Sequence, residues 1–283
     1  MKAIIMVFFI ILIGCNFTPK PITSDKKFIK ANILGGTNSD GQLSKSAVSI
    51  LEYYKNRVWI TNCSGSVLGE RFILTAAHCL KGKSPESFLI NFSNEQLIYN
   101  KEAEVNDINY LQDHFSIRKV KSFMVHPDFD VDNTEGDHDV GVILLEDKIP
   151  NGALPVNLLP ESYINRVQKQ TTFEGQELPV TLFGSGALED EPPYKHATSM
   201  NQVVVSGRFE KQFVITDQWQ GSGACSGDSG GPAFINLNGY DYQIGIISGP
   251  HGESTTCHEE GELINPGFDK EFIKRAQEEL LRN

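Results

Sequence analysis

From Ile33 onward the chain is a succession of short apolar runs separated by Gly, Pro, Asn, Asp and Ser. The runs lie at 47–51, 58–60, 65–67, 71–75, 88–92, 120–125, 140–145, 178–183, 202–205, 212–215 and 243–247. They are rich in β-branched and aromatic residues and are a strand's length, so the pattern predicts many short strands joined by tight turns. No helical pattern intervenes, which favours a sandwich or barrels over an alternating α/β sheet. One helix is predicted, at the end. Asn265-Pro266 offers an N-cap and a first-turn proline, and Phe268, Phe272, Ile273, Ala276 and Leu280 then share a face at helical spacing.

Ahead of Ile33 the pattern changes. Met1-Lys2 precedes an unbroken apolar run over 3–13, which fits the charged and hydrophobic parts of a signal peptide. The run is shorter than the roughly 20 residues a membrane helix needs. It ends in Leu12-Ile13-Gly14-Cys15, which resembles a bacterial lipobox. That resemblance implies removal of 1–14 and lipid on Cys15, with an ordinary signal peptide and an incidental cysteine as the alternative. Residues 15–32 are polar, lysine-rich and proline-containing, and read as a linker or pro-segment.

Composition narrows the choice of function. With 283 residues, 40% of them apolar, the chain is long enough for one all-β unit. A formal charge of −11 argues against nucleic acid, whose binders carry a basic face. Five cysteines are an odd number. If Cys15 carries lipid, Cys63, Cys79, Cys225 and Cys257 remain, and four can pair in three ways. No C-x-x-C spacing suggests zinc, and export places the thiols where disulfides persist. The seven His are scattered and none forms H-E-x-x-H, so neither a metal nor a cofactor is expected.

Three local patterns carry chemistry. Leu74-Thr75-Ala76-Ala77-His78-Cys79 sets a His at the end of an apolar run, Asp137-His138-Asp139-Val140-Gly141 sets an Asp at the start of another, and Cys225-Ser226-Gly227-Asp228-Ser229-Gly230-Gly231-Pro232 sets a Ser in a glycine-rich loop. Taken together, in the order His, Asp, Ser, they resemble the chymotrypsin-like (trypsin-like) serine proteases from Ile33 to the C-terminus. The resemblance implies an all-β fold of two antiparallel Greek-key β-barrels, about 33–149 and 150–266, with a C-terminal α-helix over about 266–281. It implies a monomeric serine endopeptidase acting on proteins or peptides. His78, Asp139 and Ser229 would be its triad, with His138 a flanking surface residue. An unassisted serine hydroxyl is a poor nucleophile and needs such an adjacent base.

Further roles follow from the same resemblance. The N–H groups of Gly227 and Ser229 would form the oxyanion hole, in a loop where Gly227 needs positive φ. Ile33-Leu34-Gly35-Gly36 resembles the family's mature N-terminus, which implies a zymogen activated at Asn32–Ile33 through a pair of Ile33 with Asp228. The implied disulfides are Cys63–Cys79 and Cys225–Cys257, and the absence of others fits a bacterial member. Gly223, Ser248, Gly249 and Gly261 are the expected specificity pocket. A neutral Gly223 at its base favours apolar or small side chains, while Glu259, Glu260 and Glu262 leave a basic preference open. Ser248-Gly249-Pro250 and Gly184-Ser185-Gly186 each lack an aromatic usual in the family, and Pro250 removes a backbone donor that normally pairs with substrate. Asn32 argues against trypsin-type activation. The expected product is an exported cell-envelope lipoprotein, in contact with membrane only through Cys15 and released by the activating cut. The competing reading is a catalytically silent binding or adhesion lipoprotein on the same fold.

Overall fold

Two stretches, 72–75 and 141–145, are buried throughout and lie side by side in the first barrel. The computed structural model describes residues 33–39, 41–54, 58–93, 116–130, 138–172, 176–186, 200–210, 212–252 and 257–282. The expected leader, Cys15, the linker and Asn32 lie outside them. Strands β2 (Ala47–Tyr54), β3 (Val58–Val67), β4 (Phe72–Thr75), β5 (Phe88–Asn91), β6 (Ile117–Val125) and β7 (Gly141–Leu145) close antiparallel in the order β2-β3-β4-β7-β6-β5. Every residue of β4 and β7 is buried, because one face fills the barrel and the other is covered from outside. The register pairs Thr75 with Gly141. His78 follows β4 and Asp139 precedes β7, so this one pairing delivers both to the same rim of the barrel.

The second barrel uses β8 (Leu178–Gly184), β9 (Asn201–Glu210), β10 (Phe213–Asp217), β11 (Pro232–Leu237), β12 (Tyr240–Pro250) and β13 (Glu260–Ile264). They run in the order β9-β10-β13-β12-β11-β8, and a β8–β9 pairing closes the ring. Neither β11 nor β13 is among the apolar runs singled out from the sequence; both carry polar residues or glycine in a short span. Strand β1 (Thr37–Asn38) pairs with β9, and Ile33 is buried in the second barrel's core. The segment from Ile33 therefore joins the second barrel, where the sequence pattern assigns it to the first.

Helix α2 (Lys270–Arg282) packs on β6 and β7, with Phe272, Ile273, Ala276 and Leu280 in the first barrel's core. It starts later than expected. Asn265-Pro266 forms a separate turn, closed by the Phe268 and Asp269 N–H groups, so Phe268 stays 51% exposed. Helix α1 (Glu161–Thr172) was not foreseen. Its buried stripe is only Ile164, Val167 and Thr171, too short and polar to register as a period, and it rests on β9 through Thr171 Oγ1, which accepts the Phe209 N–H at 3.1 Å.

Cys63 is bridged to Cys79, and Cys225 to Cys257. The first bridge closes a loop of 16 residues across β3 and the end of β4. A Cys63→Ala/Cys79→Ala variant is expected to lose about 3 kcal/mol, read as a lower guanidinium midpoint, with a steeper slope as the unfolded chain expands.

Candidate active site

His78 sits in the turn after β4, behind the fully buried Ala76 and Ala77. Two bonds fix it to Asp139. The His78 N–H donates to Asp139 Oδ1 at 2.8 Å, and His78 Nδ1 meets Oδ2 at 2.7 Å. Ser248 Oγ adds a third at 2.8 Å, also to Oδ2. Burial alone pushes the Asp139 carboxyl up, but the bonds and charge of His78 and the Ser248 hydroxyl outweigh it, so Asp139 stays below the usual carboxylate range. An ionised carboxylate on Nδ1 sets the ring tautomer and leaves Nε2 as the basic nitrogen facing out.

Ser229 stands in the loop between β10 and β11. Its Oγ donates to the Ser248 carbonyl at 3.3 Å, so Ser248 touches both Asp139 and Ser229. The loop is pinned to the first barrel where Ser64 N–H donates to the Ser229 carbonyl at 2.7 Å and Ser64 Oγ to the Gly227 carbonyl at 3.1 Å. Gly227 has φ +92°, a conformation a side chain would strain. The three residues of the sequence motifs are thus brought to one place, at the junction of the two barrels.

Asp228 is fully buried beneath this loop. Its oxygens accept the Cys225 and Gly186 N–H groups, each at 2.8 Å. Burial nevertheless raises its pKa to about 7. Gly184 and Gly186 make room for it: a Cβ at 184 would collide with the Asp228 carboxyl and one at 186 with the loop backbone. Leu34 and Gly223 exchange two backbone hydrogen bonds of 3.0 Å, so the segment that follows Ile33 is docked on the chain leading to Asp228.

Beside Ser229 lies a cavity of about 210 Å³, lined by Gln218, Ala224, Cys225, Ser226, Ser229, Ile247, Ser248, Gly249, Pro250 and Cys257. Of the residues named for a specificity pocket, Ser248 and Gly249 line this cavity and Gly223 and Gly261 do not. Both glycines instead lie against the buried side chain of Gln218, which a Cβ at 223 would hit. The Gln218 amide accepts the Ala224 N–H and donates to the Cys257 carbonyl at 3.3 Å. Gln218 therefore joins the cavity lining where those glycines were expected, a residue that no local motif marks. Two of the three acidic residues considered for a basic preference are engaged elsewhere. Glu260 pairs with Arg208 and Glu262 with His251, each at 2.8 Å.

His138 also differs from expectation. It is no free surface residue: at φ +60° it turns its ring onto Asp269 and stacks on His126.

A model of the trypsin family matches residues 34–263. Among curated relatives, the CLIP domain-containing serine protease B15 of Anopheles gambiae is 24% identical over 254 residues, covering 82% of this chain and 66% of that protein. Chymotrypsin-like elastase family member 1 is 23% identical in Macaca fascicularis, over 237 residues, and in Bos taurus, over 239; each match covers 80% of this chain and 82% of the relative. A family match across most of the chain, on two closed barrels joined at these residues, makes this protein a member of the trypsin family.

Proposed function

We propose that the chain is a serine endopeptidase in which Ser229 is the nucleophile, His78 the general base and Asp139 the group that orients it. The observation that supports this most is the link through Ser248, which touches the carboxylate holding His78 and the hydroxyl of Ser229. On substrate binding Ser229 Oγ turns from the Ser248 carbonyl to His78 Nε2; such contacts commonly tighten only in the complex. Oγ attacks the peptide carbonyl, Nε2 takes its proton, and the imidazolium formed is stabilised by Asp139. The Gly227 and Ser229 N–H groups receive the oxyanion. His78 then returns the proton to the leaving amine, and water releases the acyl group by the same route.

Asp228 supplies the control. A cut at Asn32–Ile33 creates an α-ammonium at Ile33, and that cation pairs with the buried carboxylate and holds the oxyanion loop in shape. The segment before Ile33 carries no cysteine except Cys15, so the same cut frees the enzyme from a lipid anchor on Cys15. The two disulfides suit an exported protein. A neutral, satisfied Gln218 in the cavity lining selects apolar or small side chains next to the cleaved bond. Gln218→Glu keeps the acceptor for the Ala224 N–H and adds charge, so it is expected to shift kcat/KM toward Lys and Arg substrates by at least about tenfold, or about 1.4 kcal/mol. A panel of peptides differing only at that position reads the shift; an unchanged ranking removes Gln218 from the specificity site.

The test of the whole reading is labelling by a fluorophosphonate, comparing residues 16–283 with the form that begins at Ile33, and Ser229→Ala with each. Labelling of the Ile33 form alone is the expected outcome. Labelling of both forms refutes control through Asp228. Labelling of neither returns the chain to a silent binding protein.

A further inference from the structure

Outside the three proposed catalytic residues, and next in sequence to Asp139, segments distant in sequence bring two imidazoles and a carboxylate together. His126 follows β6, His138 precedes β7 and Asp269 immediately precedes α2. We propose that His126, His138 and Asp269 form a binding site for a divalent transition-metal cation of the zinc class, which staples the C-terminal helix to the first barrel.

The donor set is right for that class: two imidazole nitrogens and one carboxylate oxygen, with room for water as a fourth ligand. Their ligand atoms all lie within 4.8 Å of one another. A tetrahedral ion with bonds of about 2.1 Å needs ligand atoms about 3.4 Å apart. His126 Nε2 is already 3.5 Å from Asp269 Oδ1, while His138 Nδ1, at 2.6 Å, has to move out by somewhat under 1 Å. The rings are now stacked at 4.2 Å with planes 9° apart, so the more exposed one must tilt to aim its lone pair at the ion. His138 can do so: its side chain is 40% exposed, whereas those of His126 and Asp269 are 10% and 3% exposed. That exposure is also the entry path.

The surroundings support coordination. Asp128 faces His126 Nδ1 with its N–H at 3.2 Å and its carboxylate at 3.9 Å. That N–H bond makes Nδ1 an acceptor, so the ring proton sits on Nε2 toward Asp269; an ion bound at Nε2 takes that proton's place, and the ring proton moves to Nδ1, which turns from the Asp128 N–H to the Asp128 carboxylate, the carboxylate–histidine–metal arrangement seen around ligating histidines. The Phe272 ring, 4.6 Å from His126, walls the apolar side. His138 adopts φ +60°, an uncommon conformation for a residue with a Cβ, and it is this backbone that turns the ring toward Asp269.

The experiment is calorimetric titration of the chelator-treated full chain with zinc chloride, for the parent, His138→Asn and Asp269→Asn. Asparagine suits position 138 because it tolerates positive φ and still offers an N–H to Asp269, so it removes the imidazole lone pair without undoing the hydrogen bond. One zinc per chain is expected for the parent, with affinity at least ~10-fold weaker in either variant. Zinc should also raise the parent's Tm and leave that of His138→Asn unmoved. If Asp269→Asn fails to fold, His138→Asn alone decides. A parent that takes up no zinc, or a folded His138→Asn chain that binds it as tightly as the parent, overturns the site.

Discussion

Ser229→Ala in the form beginning at Ile33 is expected to lower kcat for peptide hydrolysis by about 10⁶-fold while leaving the fold intact. The size of the loss follows from the division of labour. In the proposed mechanism His78 and Asp139 act only on a proton that Ser229 must release, so removing the hydroxyl idles both. For the same reason His78→Ala should cost about as much, and the double variant little more than either. What survives comes from the oxyanion N–H groups and substrate binding, which the alanine keeps. Stability should barely change, because Ser229 Oγ gives up a single 3.3 Å bond to the Ser248 carbonyl, worth on the order of 1 kcal/mol. Steady-state kinetics on a peptide, fluorophosphonate labelling and a thermal melt together read this. A Ser229→Ala protein that still hydrolyses within tenfold of the parent would mean another nucleophile.

The second large effect concerns pH. In the uncleaved chain Asp228 has its pKa raised from 3.8 to about 7, so the folded state holds a proton that the unfolded state has released. The stability Asp228 permits is therefore fully present below about pH 4 and falls as pH rises toward 7, by about 4 kcal/mol in all. Above pH 7 both states are ionised at this group and the loss is complete. Cleavage before Ile33 changes the sign of the environment by supplying an ammonium to pair with the carboxylate. The Ile33 form should then keep its stability from pH 4 through 7 and begin to lose the pair only as the α-amino group gives up its proton at higher pH. Guanidinium midpoints at several pH values, for the precursor, the Ile33 form and Asp228→Asn in each, measure this. The Asn variant should lose the precursor's decline between pH 4 and 7. In the Ile33 form it should also cost about 10²–10³ in kcat, as the oxyanion loop loses its support. Equal pH slopes in precursor and Ile33 form would sink the proposed pairing.

The features behind these expectations are legible in the sequence to different degrees. The strings around His78, Asp139 and Ser229 are local, and each lies next to a strand or in a glycine-rich turn that neighbouring residues specify. Strands β4 and β7 were visible because complete burial demands an unbroken apolar run. The buried face of α2 was visible because its four core residues repeat at helical spacing, although its start was misplaced by the Asn265-Pro266 turn. Helix α1 was invisible for the opposite reason, since two aliphatic residues and a threonine make no period. Strand β13 was hidden because its buried positions include Gly261 and Glu262.

What the sequence by itself determined is the class of fold, the chemistry of the three proposed catalytic residues and the short-range geometry of their turns, all set by steric and burial rules acting within a few residues. What only the tertiary structure decided is how those turns meet. The Thr75–Gly141 register joins His78 to Asp139, Ser248 links them to Ser229, Gln218 lines the cavity in place of two expected glycines, and His138 finds Asp269 across 131 residues of chain. Each depends on a side chain filling space or satisfying a buried hydrogen-bonding group that another part of the chain supplies, and no local pattern records which part that is.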